Sequence, residues 1–126
     1  MTSGDCADDP SVANNEFLWR FVHPKQIQVD PVSGQKRPMS GAFRDARMSV
    51  DVASQTTLAA LQKREPRKGV AGFTAGVVRK MTPPKCVNPK LDPDPNNPAH
   101  AIVCPKLSVT EARQLAQDPA IWVYCP

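Results

Sequence analysis

The sequence predicts an α+β fold: a mixed, mostly antiparallel sheet of about five or six short strands, with two or three short helices on one face. Three observations predict it. Short apolar or alternating stretches recur along the chain, bounded by turn residues, and these are strand signatures. Helical periodicity with end signals is confined to a few short segments between them. Proline is abundant, 14 residues of 126, and most of it lies outside the apolar stretches, so elements are short and turns many. Hydrophobic residues make up 40% and charged residues 22%, values near globular averages that exclude wholesale disorder. The length suits one domain with its own core, and no internal repeat is apparent.

Residues 1–15 are acidic and rich in small residues, and read as a mobile tail, leaving a single domain over residues 16–126. The tail is opposite in sign to the body, which permits it to fold back in cis. Phe17-Leu-Trp-Arg-Phe-Val22 is the first strand, bulky and apolar except at Arg20. On period-2 alternation Arg20 shares a face with Leu18 and Val22, and a charge on the core side needs a partner or a cavity. His23-Pro24 ends the strand, because the residue before proline is pushed to extended or turn geometry. Residues 26–30 alternate as a short second strand. The stretch 30–38 is dense in turn formers and 39–45 reads as loop, with an aromatic at Phe43. Residues 47–52 alternate most cleanly: Met48, Val50 and Val52 point one way, Arg47, Ser49 and Asp51 the other.

Residues 54–64 read as a short helix, with Leu58 and Leu61 on its apolar side and Lys63 and Arg64 in the last turn, where cations suit the helix dipole. Gly69-Val-Ala-Gly-Phe-Thr-Ala-Gly76 lies between the basic pairs Arg67-Lys68 and Arg79-Lys80. It reads as a buried strand over 69–73, with Thr74 capping a helix over 75–81; a continuous strand through Val78 is the rival. Cys86-Val87 is a strand stub, and residues 89–98 form a proline-rich loop. Residues 99–104 have the apolar run of a central strand. Ser108, with Glu111 three residues on, forms a capping box that opens a helix with Ala112, Leu115 and Ala116 toward the core. Asp118-Pro119 closes it, and 121–124 is the last strand.

The formal net charge of +4 is unevenly placed. Residues 17–80 carry twelve Lys/Arg against Asp30, Asp45, Asp51 and Glu65, a basic block of +8. A basic surface attracts phosphates through Coulomb terms and counterion release. The first sixteen residues hold no apolar stretch, and no apolar run reaches the roughly 20 residues that span a bilayer. The expected setting is therefore cytoplasmic, without membrane contact. There Cys6, Cys86, Cys104 and Cys125 are expected to be reduced.

Two histidines beside a cation can run acid–base chemistry on a phosphodiester. His23 follows the first strand, which carries Arg20, and His100 opens a later one. If both strand ends meet on one edge, His23, His100 and Arg20 make a small nuclease or phosphate-transfer site. That reading needs both imidazoles within about 10 Å of a shared cleft. Cys86, His100, Cys104 and Cys125 are spaced too widely for structural zinc, which uses tight cysteine pairs, so no metal and no cofactor is expected. The glycines at 69, 72 and 76 fit neither G-x-G-x-x-G nor a Walker A loop, and no G-x-S-x-G occurs.

The leading expectation is a small non-catalytic binding module whose basic face, roughly residues 36–80, engages nucleic acid or an acidic protein partner. Arg44, Arg47, Arg67, Lys68, Arg79 and Lys80 are the binding candidates, and Phe43 among them is placed to stack on a base. This requires the cations to gather on one side of the fold. The small nuclease is the alternative. A third reading makes loop 89–98 a recognition element for another protein.

Overall fold

Alternation within the strands decides which residues enter the core. The structure, a computed structural model, describes residues 6–126. In chain order its elements are β1 (Phe17–Val22), β2 (Ile27–Val29), β3 (Lys36–Pro38), β4 (Met48–Val52), α1 (Leu58–Arg64), β5 (Gly69–Thr74), α2 (Ala75–Arg79), β6 (Cys86–Asn88), β7 (His100–Cys104), α3 (Val109–Ala116) and β8 (Trp122–Tyr124). Six strands form one sheet in the order β6-β7-β4-β1-β5-β8, and β2 and β3 pair separately. Every pairing is antiparallel. The chain is thus α+β, with short helices set between strands.

On the inner face the alternating residues Leu18 and Val22, Met48, Val50 and Val52, Ala71 and Phe73, and Ala101 and Val103 are all buried. They share one core with Phe43, Leu107, Ala112 and Leu115. Helix α3 supplies its part of this core because Ser108 fixes its start: the Ser108 hydroxyl accepts from Glu111 N–H and the Glu111 carboxylate accepts from Ser108 N–H. Each such aliphatic side chain contributes about 1.5–3 kcal/mol on burial, which offsets the ordering of the short elements that carry them.

The strand at 69–74 followed directly by a helix is present, and Thr74 stands at the N-cap without a side-chain cap bond. Two stretches differ from expectation. Residues 36–38 pair with β2 as a hairpin, and Ser40–Phe43 forms a 3-10 turn that carries Phe43 into the core, edge-on to Phe73 with ring centroids 5.8 Å apart. Asp51 does not face solvent; it is 4% exposed.

Residues 1–5 of the expected tail lie outside the described residues. Residues 6–15 pack against the body, where Arg79 gathers them. Its guanidinium donates to Asp8 Oδ1 at 3.0 Å, Asp9 O at 3.0 Å, Val12 O at 2.6 Å and Asn14 Oδ1 at 2.9 Å. A planar guanidinium with five donors can serve this many acceptors at once, which a lysine cannot. Asp9 N–H also donates to Val87 O, Val87 N–H to Asp8 Oδ1, and Asn88 Nδ2 to Ala7 O. The expectation of four reduced cysteines fails at Cys6 and Cys104, which form a disulfide. Their separation of 98 residues hides the pair in the sequence; docking of the N-terminal segment against β6 and β7 creates it.

Candidate functional site

The outer face of the sheet collects aromatic side chains. In β1 the odd positions Phe17, Trp19 and Phe21 point away from Leu18 and Val22, and all three are half-buried. Across β5, Trp19 and Trp122 align with Gly72, and Phe21 and Tyr124 align with Val70. Strands two apart stand roughly 10 Å from each other, too far for direct side-chain contact over a filled middle strand. Gly72 has no side chain, so the indoles of Trp19 and Trp122 close to 6.4 Å between centroids. A Cβ at Gly72 would collide with Phe17 Cε2 and stand 3.2 Å from Trp19 Cδ1. Five of the seven aromatic residues therefore share one face.

Two cations rest on this face. Arg64 Cζ lies 5.0 Å and Lys68 Nζ 5.9 Å from the centroid of Phe21. Arg64 ends α1 and Lys68 lies in the link to β5, and each such contact is worth about 0.5–1 kcal/mol where water has access. Lys63 and Arg67 belong to the same short segment; among the described residues neither has a carboxylate partner.

Beside the aromatic face is a polar cleft of about 470 Å³, lined by Trp19, Arg20, Phe21, Asp45, Ser49, Asp51, Arg64, Lys68, Asp94, Asn97 and His100. Its cause is a splay in the sheet. β1 and β4 pair at Leu18–Val52 and Trp19–Asp51 and no further. Arg20 fills the gap: its Nε–H donates to Ala42 O at 3.1 Å, Nη1 to Ser49 O at 3.0 Å, and Nη2 to Asp45 Oδ2 at 2.5 Å. Deeper in the cleft, Asp51 accepts from Arg64 Nη2 and from Asn97 Nδ2 at 2.7 Å, so its charge is answered on both oxygens. His100 is the cross-strand partner of Asp51, and among the described residues its buried Nε2 has no hydrogen-bond partner.

Arg20 and His100 thus line one cleft, as the nuclease reading requires. His23 does not line it. It lies past the end of β1 at an exposed position, where its Nδ1 accepts from Lys25 N–H at 3.1 Å and caps a 3-10 turn. The two-histidine arrangement is therefore absent, because the turn chemistry of His23-Pro24 claims the first imidazole.

Much of the basic block is paired. Arg20 pairs with Asp45, Arg37 with Asp30, Arg47 with Asp92, Arg64 with Asp51, Lys68 with Glu65 and Arg79 with Asp8. Arg44 donates to Leu107 O at 3.3 Å. The Arg47 guanidinium holds the Asp92 carboxyl below the usual carboxylate range. Arg79 serves the N-terminal segment, and Lys80 follows it at the end of α2. Phe43 is fully buried and unavailable for stacking. Of the binding candidates, Arg67 and Lys68 lie in the link beside Phe21. No group of metal-ligating side chains converges among the described residues.

A larger cavity of about 540 Å³ lies between the β2–β3 hairpin and α3, with Val29, Pro31, Met39 and Gln117 in its wall. Arg37 and Asp30 there pair with each other at 3.6 Å. Among the described residues no helix is long and apolar enough to cross a membrane. Sequence reasoning missed Trp19, Phe21, Trp122 and Tyr124; the signal that could have found them is aromatics at every second position, in β1 opposite to Leu18 and Val22 and again at 122 and 124 in β8. Compared with known proteins, the chain matches no family model, no curated sequence and no solved structure.

Proposed function

We propose that the protein is a small binding module that takes single-stranded nucleic acid on the outer face of its sheet. The observation that carries this reading is the aromatic row Trp19–Trp122 and Phe21, with Arg64 and Lys68 lying on Phe21. Bases stack on aromatic rings regardless of sequence, while cations at the rim hold the phosphates. Lys63 and Arg67 add positive charge in the same short segment of chain, and His100 lines the polar cleft beside the row. An acidic protein partner would use the cations and leave the aromatics idle, so nucleic acid is the better fit. A cytoplasmic setting agrees with this role on condition that the Cys6–Cys104 bond is shielded from reduction.

Titration of the protein with a short oligothymidine, followed by tryptophan fluorescence, tests the reading. Trp19 and Trp122 should be quenched, and affinity should fall with salt at a slope of about −0.7 per phosphate contacted. Trp122→Ala should weaken binding by about tenfold, within the ~1–3 kcal/mol of one stacked base. Lys68→Glu should weaken it and flatten the salt slope. No quenching by DNA or RNA oligonucleotides, or binding of polyglutamate in their place, would overturn it.

A further inference from the structure

Three of the four cysteines meet at one place on the edge of the sheet. Cys6 and Cys104 are disulfide-bonded, with Cα atoms 5.8 Å apart. Cys86 carries a free thiol and is the direct cross-strand partner of Cys104. Side chains at paired positions of an antiparallel ladder point to the same face. Their Cα atoms stand about 4.5–5.5 Å apart, within the roughly 4.4–6.8 Å that a disulfide spans. The Cα spacing therefore brings Cys104 within bonding range of either neighbour.

We propose that Cys6, Cys86 and Cys104 form a thiol–disulfide exchange centre, in which the Cys86 thiolate attacks Cys104 Sγ. The Cys86–Cys104 bond forms as the Cys6–Cys104 bond breaks, and Cys6 leaves with the electron pair as a thiolate. Cys86 gives its proton to solvent before attack, and Cys6 takes one from solvent afterwards. The step is an isomerisation, and no oxidant or reductant is consumed.

The surroundings hold the centre in its first state. Burial and the nearby Asp8 carboxylate push the Cys86 thiol up, against the opposing pull of Arg79 and Lys85. A thiol kept protonated attacks slowly. Exchange detaches Cys6 from the sheet, leaving residues 6–14 held by Arg79 and by the contacts of Ala7, Asp8 and Asp9 with β6. The product places a disulfide between β6 and β7 and frees a thiol near the N-terminus.

Peptide mapping of the full chain tests this, in a Cys125→Ser background that keeps the fourth thiol out. Samples are incubated without oxidant or thiol at pH values from 6 to about 9, quenched in acid and alkylated. The Cys86–Cys104 linked peptide should appear with alkylated Cys6, at a rate rising about tenfold per pH unit until the thiol ionises. Cys6→Ser should close Cys86–Cys104 on mild oxidation, a result that does not depend on the rate in the parent chain. The proposal is overturned if Cys86 stays the alkylated residue at every pH, if the rearranged bond joins Cys6 to Cys86, or if the Cys6→Ser chain forms no Cys86–Cys104 bond.

Discussion

Arg20 shows how one residue turns a defect in a sheet into a fixed feature. Its side chain is 15% exposed, and its donors are used by two backbone carbonyls and Asp45. Because Asp45 is itself largely exposed, the ion pair adds little; the carbonyls of Ala42 and Ser49 carry the contribution. Arg20→Met should lower stability by roughly 2–4 kcal/mol, read from the urea midpoint, and Arg20→Lys should recover little because an ammonium cannot span three acceptors. Lys85 and Glu111 make a second buried junction, with Lys85 Nζ 2.9 Å from Glu111 Oε2 and its side chain 2% exposed. Hydrogen bonding to Ser108 N–H, then to Lys85, holds the Glu111 carboxyl below its ordinary range. A carboxylate depressed in the folded state stabilises the fold above its unfolded pKa, near 4.5, and loses that effect as pH falls through the folded value. Glu111→Gln should therefore cost about 3–5 kcal/mol at pH 7, the loss seen when a buried pair is broken, and the gap should narrow at about pH 3, below the unfolded pKa, closing only as pH falls through the folded value. Urea titrations at the two pH values check both parts.

At the scale of elements, legibility followed local chemistry. The capping box at Ser108 and Glu111, the alternation of 48–52 and the break at His23-Pro24 act over a few residues, so their signals lie intact in the chain. β3 and the 3-10 turn over Ser40–Phe43 were not legible. A three-residue strand ending in proline has no period to detect, and pairing with β2 alone makes it a strand. Asp51 points away from the core as alternation expects, but alternation cannot say that Arg64 and Asn97 will cover it. Gly72 shows the converse, a residue whose importance appears only beside its neighbours. Gly72→Ala should push Phe17 and Trp19 aside, lower stability by roughly 1–3 kcal/mol and weaken the coupled indole signal in near-ultraviolet circular dichroism. An unchanged spectrum would show that the rings accept the methyl without moving.

For the whole molecule, the distribution of charge was the least legible property. Twelve cations within residues 17–80 suggest a basic face, yet six of them are paired with carboxylates, four of these drawn from more than ten residues away. Pairing depends on tertiary placement, which a charge count does not contain. The same holds for Cys6 and Cys104, and for the candidate site, where His100 joined the cleft and His23 did not. The N-terminal segment also has a role beyond its charge. Val87 sits in β6, at one end of the strand order, and its N–H and C=O are both satisfied by Asp8 and Asp9. A chain shortened by its first fourteen residues should still fold, but with a raw border whose amides seek any extended strand that passes. Light scattering should then find it growing into ever larger assemblies while the full-length protein stays dispersed, so these opening residues act as a hem that keeps the fabric from ravelling into its neighbours.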